Sequence, residues 1–131
     1  MAQAAANGSP RGLVYRRSTG ELTLDGRSLA TGYSGSGAAK NNPEMQSSQG
    51  QGLIPQGTNT MDPQFYSPAT GPGAIRLTPN RETEKFGRKD FEMNGDSIRH
   101  PGTASEGCII MPPEVRKQVA ALLNRALTVM R

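Results

Sequence analysis

The chain has 131 residues and a formal net charge of +4, a length that fits one domain with at most a short tail. Leu, Ile, Val and Phe together supply about 16% of it and Gly with Pro about 20%, which excludes a large core and overlaps the range of disordered chains. The weak net charge and the interspersed acids and bases (Arg81-Glu82, Glu84-Lys85) argue for order: a small, loop-rich domain of short strands in which Gly and Pro shape the turns.

Several function classes fall away on the same grounds. No run approaches the length of a membrane span, and the start MAQAAANGSPRG lacks the charged and apolar regions of a secretory signal. One cysteine, Cys108, and one histidine, His100, exclude an internal disulfide and a Cys/His zinc cluster; no metal and no other cofactor is expected. Without a basic run, and with no Trp, a nucleic acid is not an expected partner, and a cell-wall polymer suits the mild positive charge as well.

In chain order, residues 1–10 read as a flexible leader and residues 11–131 as a single domain. Leu13 to Arg17 and Glu21 to Leu24 flank a turn ending in Gly20, the pattern of a hairpin. Asp25-Gly26 is the next turn and Ser28 to Thr31 a third short strand. Gly32-Tyr33-Ser34-Gly35 opens a long loop reaching about Gly52, and a loop of that length in a small domain is functional or disordered. Leu53-Ile54-Pro55, Thr58 to Met61 and Phe65-Tyr66 follow as short runs. Gly71-Pro72-Gly73 reads as a turn, Ala74 to Thr78 as an alternating strand, and Phe91-Glu92-Met93 as a strand stopping at Asn94-Gly95-Asp96. From Glu114 onward, Val115, Val119, Leu122, Leu123, Ala126, Leu127 and Met130 form one stripe at helical spacing, which predicts a C-terminal helix packed across the β-structure. Pro112-Pro113 suits its start, and Arg125 and Arg131 its end.

The stretch Ser105-Glu106-Gly107-Cys108-Ile109-Ile110 concentrates the chemistry. A Gly before a Cys lets the backbone approach a substrate so that N–H groups can face a developing oxyanion, and a thiolate there is a competent acyl nucleophile. Read alone, a solitary Cys beside two isoleucines is more often a buried inert side chain. Read whole, Arg88 to Met111 (RKDFEMNGDSIRHPGTASEGCIIM) resembles the active-site signature of the L,D-transpeptidase superfamily, a His-Gly pair at a strand end followed downstream by Ser/Thr-x-Gly-Cys. It is most similar to the type VI secretion L,D-transpeptidase effector family, whose motif has Ser-Glu-Gly-Cys-Ile. Tyr15 to Leu24, Gly32 to Gly35 with Asn41-Asn42-Pro43, Ile54-Pro55-x-Gly57 and Arg76 to Pro79 also look like segments of that family, which extends the resemblance over about residues 12 to 125.

The resemblance implies a mainly β fold, a small L,D-transpeptidase-like sandwich or barrel with a C-terminal helix. It implies a cysteine L,D-carboxypeptidase or L,D-transpeptidase acting on peptidoglycan stem tetrapeptides. Cys108 would be the nucleophile, and the Gly107 and Cys108 amides the oxyanion hole. Ser105 would orient the nucleophile segment or cap its turn, or be merely a loop serine. Glu106 would meet a stem-peptide amino group or be solvated; Arg76 and Arg88 would meet substrate carboxylates or be surface charges. The implied biology is an antibacterial toxin, delivered by secretion machinery into the periplasm of a rival cell and countered there by an immunity protein. The departures are specific. Asn94 stands where the family's base would be, and a carboxamide does not take a thiol proton; Leu53 stands where Gly-Pro-Ile-Pro would be expected, and Asn59 where an aromatic is usual. His100, in a turn-rich loop, is the other candidate base or an exposed loop histidine. Asp96 reads as a turn former. An inactivated enzyme, a non-catalytic relative that binds peptidoglycan or an immunity protein, a phage wall-active protein and a structural protein with an inert Cys108 are the competing readings.

Overall fold

The computed structural model describes residues 12–35, 40–45, 52–67, 71–88, 91–95 and 108–131. The leader at 1–10 and the segment 96–107, which holds Asp96, His100, Ser105, Glu106 and Gly107, lie outside them. Strands β1 (Leu13–Arg16) and β2 (Glu21–Leu24) form the expected hairpin, with Arg16 opposite Glu21. Asp25 and Gly26, at φ 51 and 87, make the left-handed turn that leads into β3 (Arg27–Thr31), whose right-handed strand twist such turns match. A two-residue strand β4 (Tyr33–Ser34) follows, then a single 3-10 turn at Pro43–Met45.

The middle of the chain is more regular than its sequence implies. The runs at Thr58 and Phe65 belong to one strand, β5 (Gly57–Ser67), and Gly71-Pro72-Gly73 is not a turn but the start of β6 (Gly71–Pro79), which pairs antiparallel with β5. Two register irregularities, between Met61 and Gln64 and between Phe65 and Ser67, let the pair bend without breaking. The Gly73 carbonyl accepts from Gln64 Nε2 at 3.0 Å, so a side chain completes the ladder there. Strands β7 (Glu92–Asn94) and β8 (Ile109–Ile110) are short and run parallel to each other.

The predicted long C-terminal helix is corrected. Helix α1 spans only Pro113–Ala120, and the chain then returns as strand β9 (Ala126–Met130). Strand β9 lies inside the sheet, parallel to β1 and antiparallel to β5, so its backbone groups are paired on both sides. A continued helix would leave β1 and β5 with facing unpaired edges, a cost that the helical periodicity of the side chains does not offset. Leu127 and Val129 alternate inward on β9, whereas Leu123, which the helical stripe placed in the core, is 98% exposed. Arg125 does serve the helix end, donating to the Ala120 and Leu122 carbonyls, and it also holds the Met61 and Asp62 carbonyls of β5. Arg131 instead lies beyond the end of β9, paired with Glu44 on the surface.

The strand order is β3-β2-β1-β9-β5-β6-β7-β8-β4. Its two outermost strands are consecutive in the chain, joined by Gly32 alone, so the sheet curls into a nearly closed, barrel-like form as a mainly β fold with one helix near the C-terminus. Gly32 donates to the Gly20 carbonyl at 2.8 Å, and a Cβ on it would collide with the Ile110 carbonyl, so only glycine fits this seam. The core is filled from the strands by Tyr15, Leu22, Met61, Ile75, Leu77, Met93, Ile109, Leu127 and Val129, and covered by Val115 and Val119 of α1. No helix among the described residues is long and apolar enough to cross a membrane.

Candidate functional site

Alternation along β7 and β8 decides which side chains meet. Met93 and Ile109 are register partners and both belong to the core, as does Met111. The residues between them, Glu92 and Asn94 on β7 and Cys108 and Ile110 on the β8 side, therefore turn to the opposite face. Asn94 pairs with Ile110, and its carbonyl accepts the Met111 amide at 3.0 Å. Carried one residue back, the same register sets Cys108 beside Glu92, one strand spacing away at about 4.8 Å between Cα atoms. On the other flank β4 pairs antiparallel with β8, Ser34 opposite Ile109, which brings Gly35 beside Cys108. Gly35 sits at φ 85 and presents no side chain of its own to the half-buried cysteine.

The surroundings of this strand pair are tied by buried polar groups. Ser34 Oγ accepts the Ile54 amide at 2.8 Å, while Asn41 Oδ1 accepts the Ser34 amide and the Asn41 amide donates back to the Ser34 carbonyl. Arg88, 7% exposed, donates to the Leu53 carbonyl at 2.8 Å and the Gly52 carbonyl at 2.5 Å, with its guanidinium over the Phe91 ring. Burial lowers its pKa, and the negative form of Cys108 opposes that shift. Coulomb attraction is mutual, so the guanidinium in turn favours a thiolate at Cys108. The described parts of the glycine-rich segment and of the Ile-Pro run are thus gathered around β8.

Asn94 is 1% exposed, its Nδ2 donating to Glu92 Oε1 at 3.4 Å and its Oδ1 buried without a hydrogen-bond partner. A buried orphan acceptor is rare and marks a place where another group fits. The Gly after Asn94 has a packing reason: a Cβ on Gly95 would meet the Arg116 guanidinium at 2.9 Å. Arg116 of α1 is itself buried and donates to the Met111, Pro72 and Gly73 carbonyls, which locks the end of β8 to the start of β6. Its pKa is lowered by burial, with Glu114 opposing.

Of the residues read from the sequence, Cys108, Asn94 and Arg88 come together. Arg76 is exposed on β6, stacked over Phe65 and opposite Glu92, which places it two strands from Cys108 along the same face. Ser105, Glu106, Gly107 and His100 fall outside the described residues. Glu92 and Arg116 were missed; the alternation Glu92-Met93-Asn94 held a signal for the first, and nothing local marked the second. An open cleft of about 390 Å³ lined by Gln56, Thr58, Asn80, Glu82, Glu84 and Phe86 contains none of these residues.

Comparison with curated proteins and with solved structures returns no match. A family model does match: residues 28–130, from β3 to the last strand, fit the Tlde1 domain, and the chain therefore belongs to that family of type VI secretion effectors of the L,D-transpeptidase kind.

Proposed function

We propose that this chain is a cysteine-dependent peptidoglycan-modifying protein, an L,D-carboxypeptidase or L,D-transpeptidase acting on stem tetrapeptides. The observation that carries the reading is the placement of Cys108 at the head of β8, on the same face as Asn94 at the end of the neighbouring parallel strand, in a chain of this family. The Cys108 sulfur gives up its S–H proton as it attacks the carbonyl of the L,D-linked peptide bond, the C–N bond breaks, and the terminal D-residue leaves with that proton on its amine. The acyl-enzyme then passes to water, giving carboxypeptidase activity, or to an amine, giving exchange or cross-linking. The amides of Gly107 and Cys108 hold the oxyanion, with Ser105 orienting the segment. Arg76, on the same face, meets a stem-peptide carboxylate, and Glu106 an amino group. Arg88 favours the thiolate while tying Gly52 and Leu53 to the site. The setting is the periplasm of a target cell, reached through type VI secretion, with an immunity protein as the producer's protection.

Asn94 favours a second reading, a binding protein that engages peptidoglycan or an immunity protein without turnover, because an amide cannot act as a base. Incubation with tetrapeptide muropeptides separates the two. Wild type and Asn94→His are compared, with Cys108→Ala as the blank. Release of the terminal D-residue by wild type supports the enzyme, release by Asn94→His alone supports a disabled one, and release by neither refutes the peptidoglycan-modifying reading.

A further inference from the structure

A base for Cys108 is absent at position 94, yet an acidic side chain stands next to the sulfur's own position in the sheet. Glu92 is half-buried on the face that carries Cys108, and the next pair along, Met93 and Ile109, turns to the core. The β7/β8 register pairs Met93 with Ile109 and Asn94 with Ile110, and carried one residue back from the start of β8 it puts Glu92 and Cys108 in neighbouring positions. Asn94 Nδ2 donates to Glu92 Oε1 at 3.4 Å, which orients the carboxylate along the strand, and Asn94 Oδ1 is buried without a hydrogen-bond partner. Arg76 lies opposite Glu92 on the remaining flank, and the Arg88 charge interacts with Cys108, so the group is bordered by two cations.

We propose that Glu92 is the proton acceptor for Cys108 in this chain, positioned by the Asn94 amide that stands where the family has its base. This rests on Cys108 being the nucleophile of the function proposed above. In the step, the Cys108 S–H bond breaks as the sulfur forms its bond to the substrate carbonyl carbon, and the proton passes to a Glu92 carboxylate oxygen. When the tetrahedral adduct collapses, the C–N bond breaks and the Glu92 carboxyl returns the proton to the leaving amine, so that Glu92 is again ionised in the acyl-enzyme.

The carboxylate has two opposite effects that a structural residue would not have. Its negative charge disfavours the free thiolate, whereas its basicity assists attack on the carbonyl. The test uses Glu92→Gln and the milder Glu92→Asp, in wild-type and Asn94→His backgrounds, with melting temperatures confirming the fold. Glu92→Gln is expected to slow release of the terminal D-residue by about 100-fold. It is also expected to speed alkylation of Cys108 by iodoacetamide at neutral pH, as an adjacent anion is removed. Glu92→Asp falls between, and in the Asn94→His background Glu92→Gln costs less than about tenfold because a histidine takes the proton. Turnover by Glu92→Gln within about threefold of wild type, or alkylation that is unchanged, overturns the role of Glu92 and leaves the peptidoglycan reading standing. Turnover by Asn94→His but not by wild type overturns it equally. Turnover by no variant overturns the peptidoglycan reading itself, and with it the role that rests on it.

Discussion

The buried Arg88 permits a quantitative prediction because two of its carbonyl partners and its ring contact are identified. Replacing it with Met keeps much of the stem's volume and removes the two hydrogen bonds to the Gly52 and Leu53 carbonyls and the stacking on Phe91. Each carbonyl left unsatisfied costs about 1–2 kcal/mol, and the lost cation–π contact about 0.5–1 kcal/mol. Against this, the guanidinium no longer has to be desolvated, an offset visible in the lowering of its pKa by burial. The net loss is about 3 kcal/mol, which for a chain of this length is a fall of about 10 °C in melting temperature. Arg88→Lys, a point charge able to satisfy one carbonyl well but not both in fork geometry, should lose about half as much. Differential scanning calorimetry measures the stability change. Iodoacetamide kinetics at pH 7 supply the second readout: Arg88→Met should slow alkylation of Cys108, since the cation favouring the thiolate is gone, while Arg88→Lys should slow it less. Melting of Arg88→Met within about 2 °C of wild type would refute the anchoring role, and unchanged alkylation would refute the electrostatic one.

Three further outcomes follow from the fold. Burial pushes the Tyr15 phenol above its ordinary value, with the Arg17 charge pulling the other way, and its hydroxyl has no partner. Above pH about 10 the unfolded chain has lost a proton that the native one keeps, so native stability falls as pH rises; Tyr15→Phe should remove that alkaline loss and add about 1 kcal/mol near neutrality, read from urea melts at pH 8 and at pH 10.5. Leu123→Lys should leave stability within about 0.5 kcal/mol of wild type while Leu127→Ala costs about 2–5 kcal/mol, and the reverse order in denaturant titrations would restore the long helix. Gly32→Ala should cost about 3 kcal/mol or more, because a Cβ there displaces the Ile110 carbonyl and with it the strand that follows Cys108; a melting temperature equal to wild type would contradict the closed seam.

Local chemistry made the opening of the fold, from Leu13 to Thr31, legible. The hairpin at Leu13 to Leu24 and the turn at Asp25-Gly26 depend on residues a few positions apart, and backbone geometry at such turns is restricted enough that Gly and Asp announce it. The same holds for the start of α1, where Pro113 and Glu114 open a helix that begins as expected. Its end was not legible. From Leu122 onward the side chains satisfy a helical period, and Leu127 with Val129 satisfy an alternating one; the open slot between β1 and β5 decides between them. Likewise Gly71-Pro72-Gly73 has turn chemistry, yet lies in a strand because β5 and the Arg116 side chain supply its polar partners.

The site divides along the same line. Sequence by itself determined that Cys108 is the lone thiol, that a glycine precedes it, that an amide stands at position 94, and that the combination is similar to one family, because these are properties of residue identity and spacing. Only the tertiary structure decided that Glu92 and Gly35 flank Cys108 and that Arg88 faces inward to carbonyls. It alone set Arg76 on the same face two strands away. Those relations arise from strand register between segments far apart in the chain, and a shift of one residue would reverse every face. The sparse core counted at the outset is sufficient because the sheet curls on itself, so that a modest set of apolar side chains is enclosed on all sides.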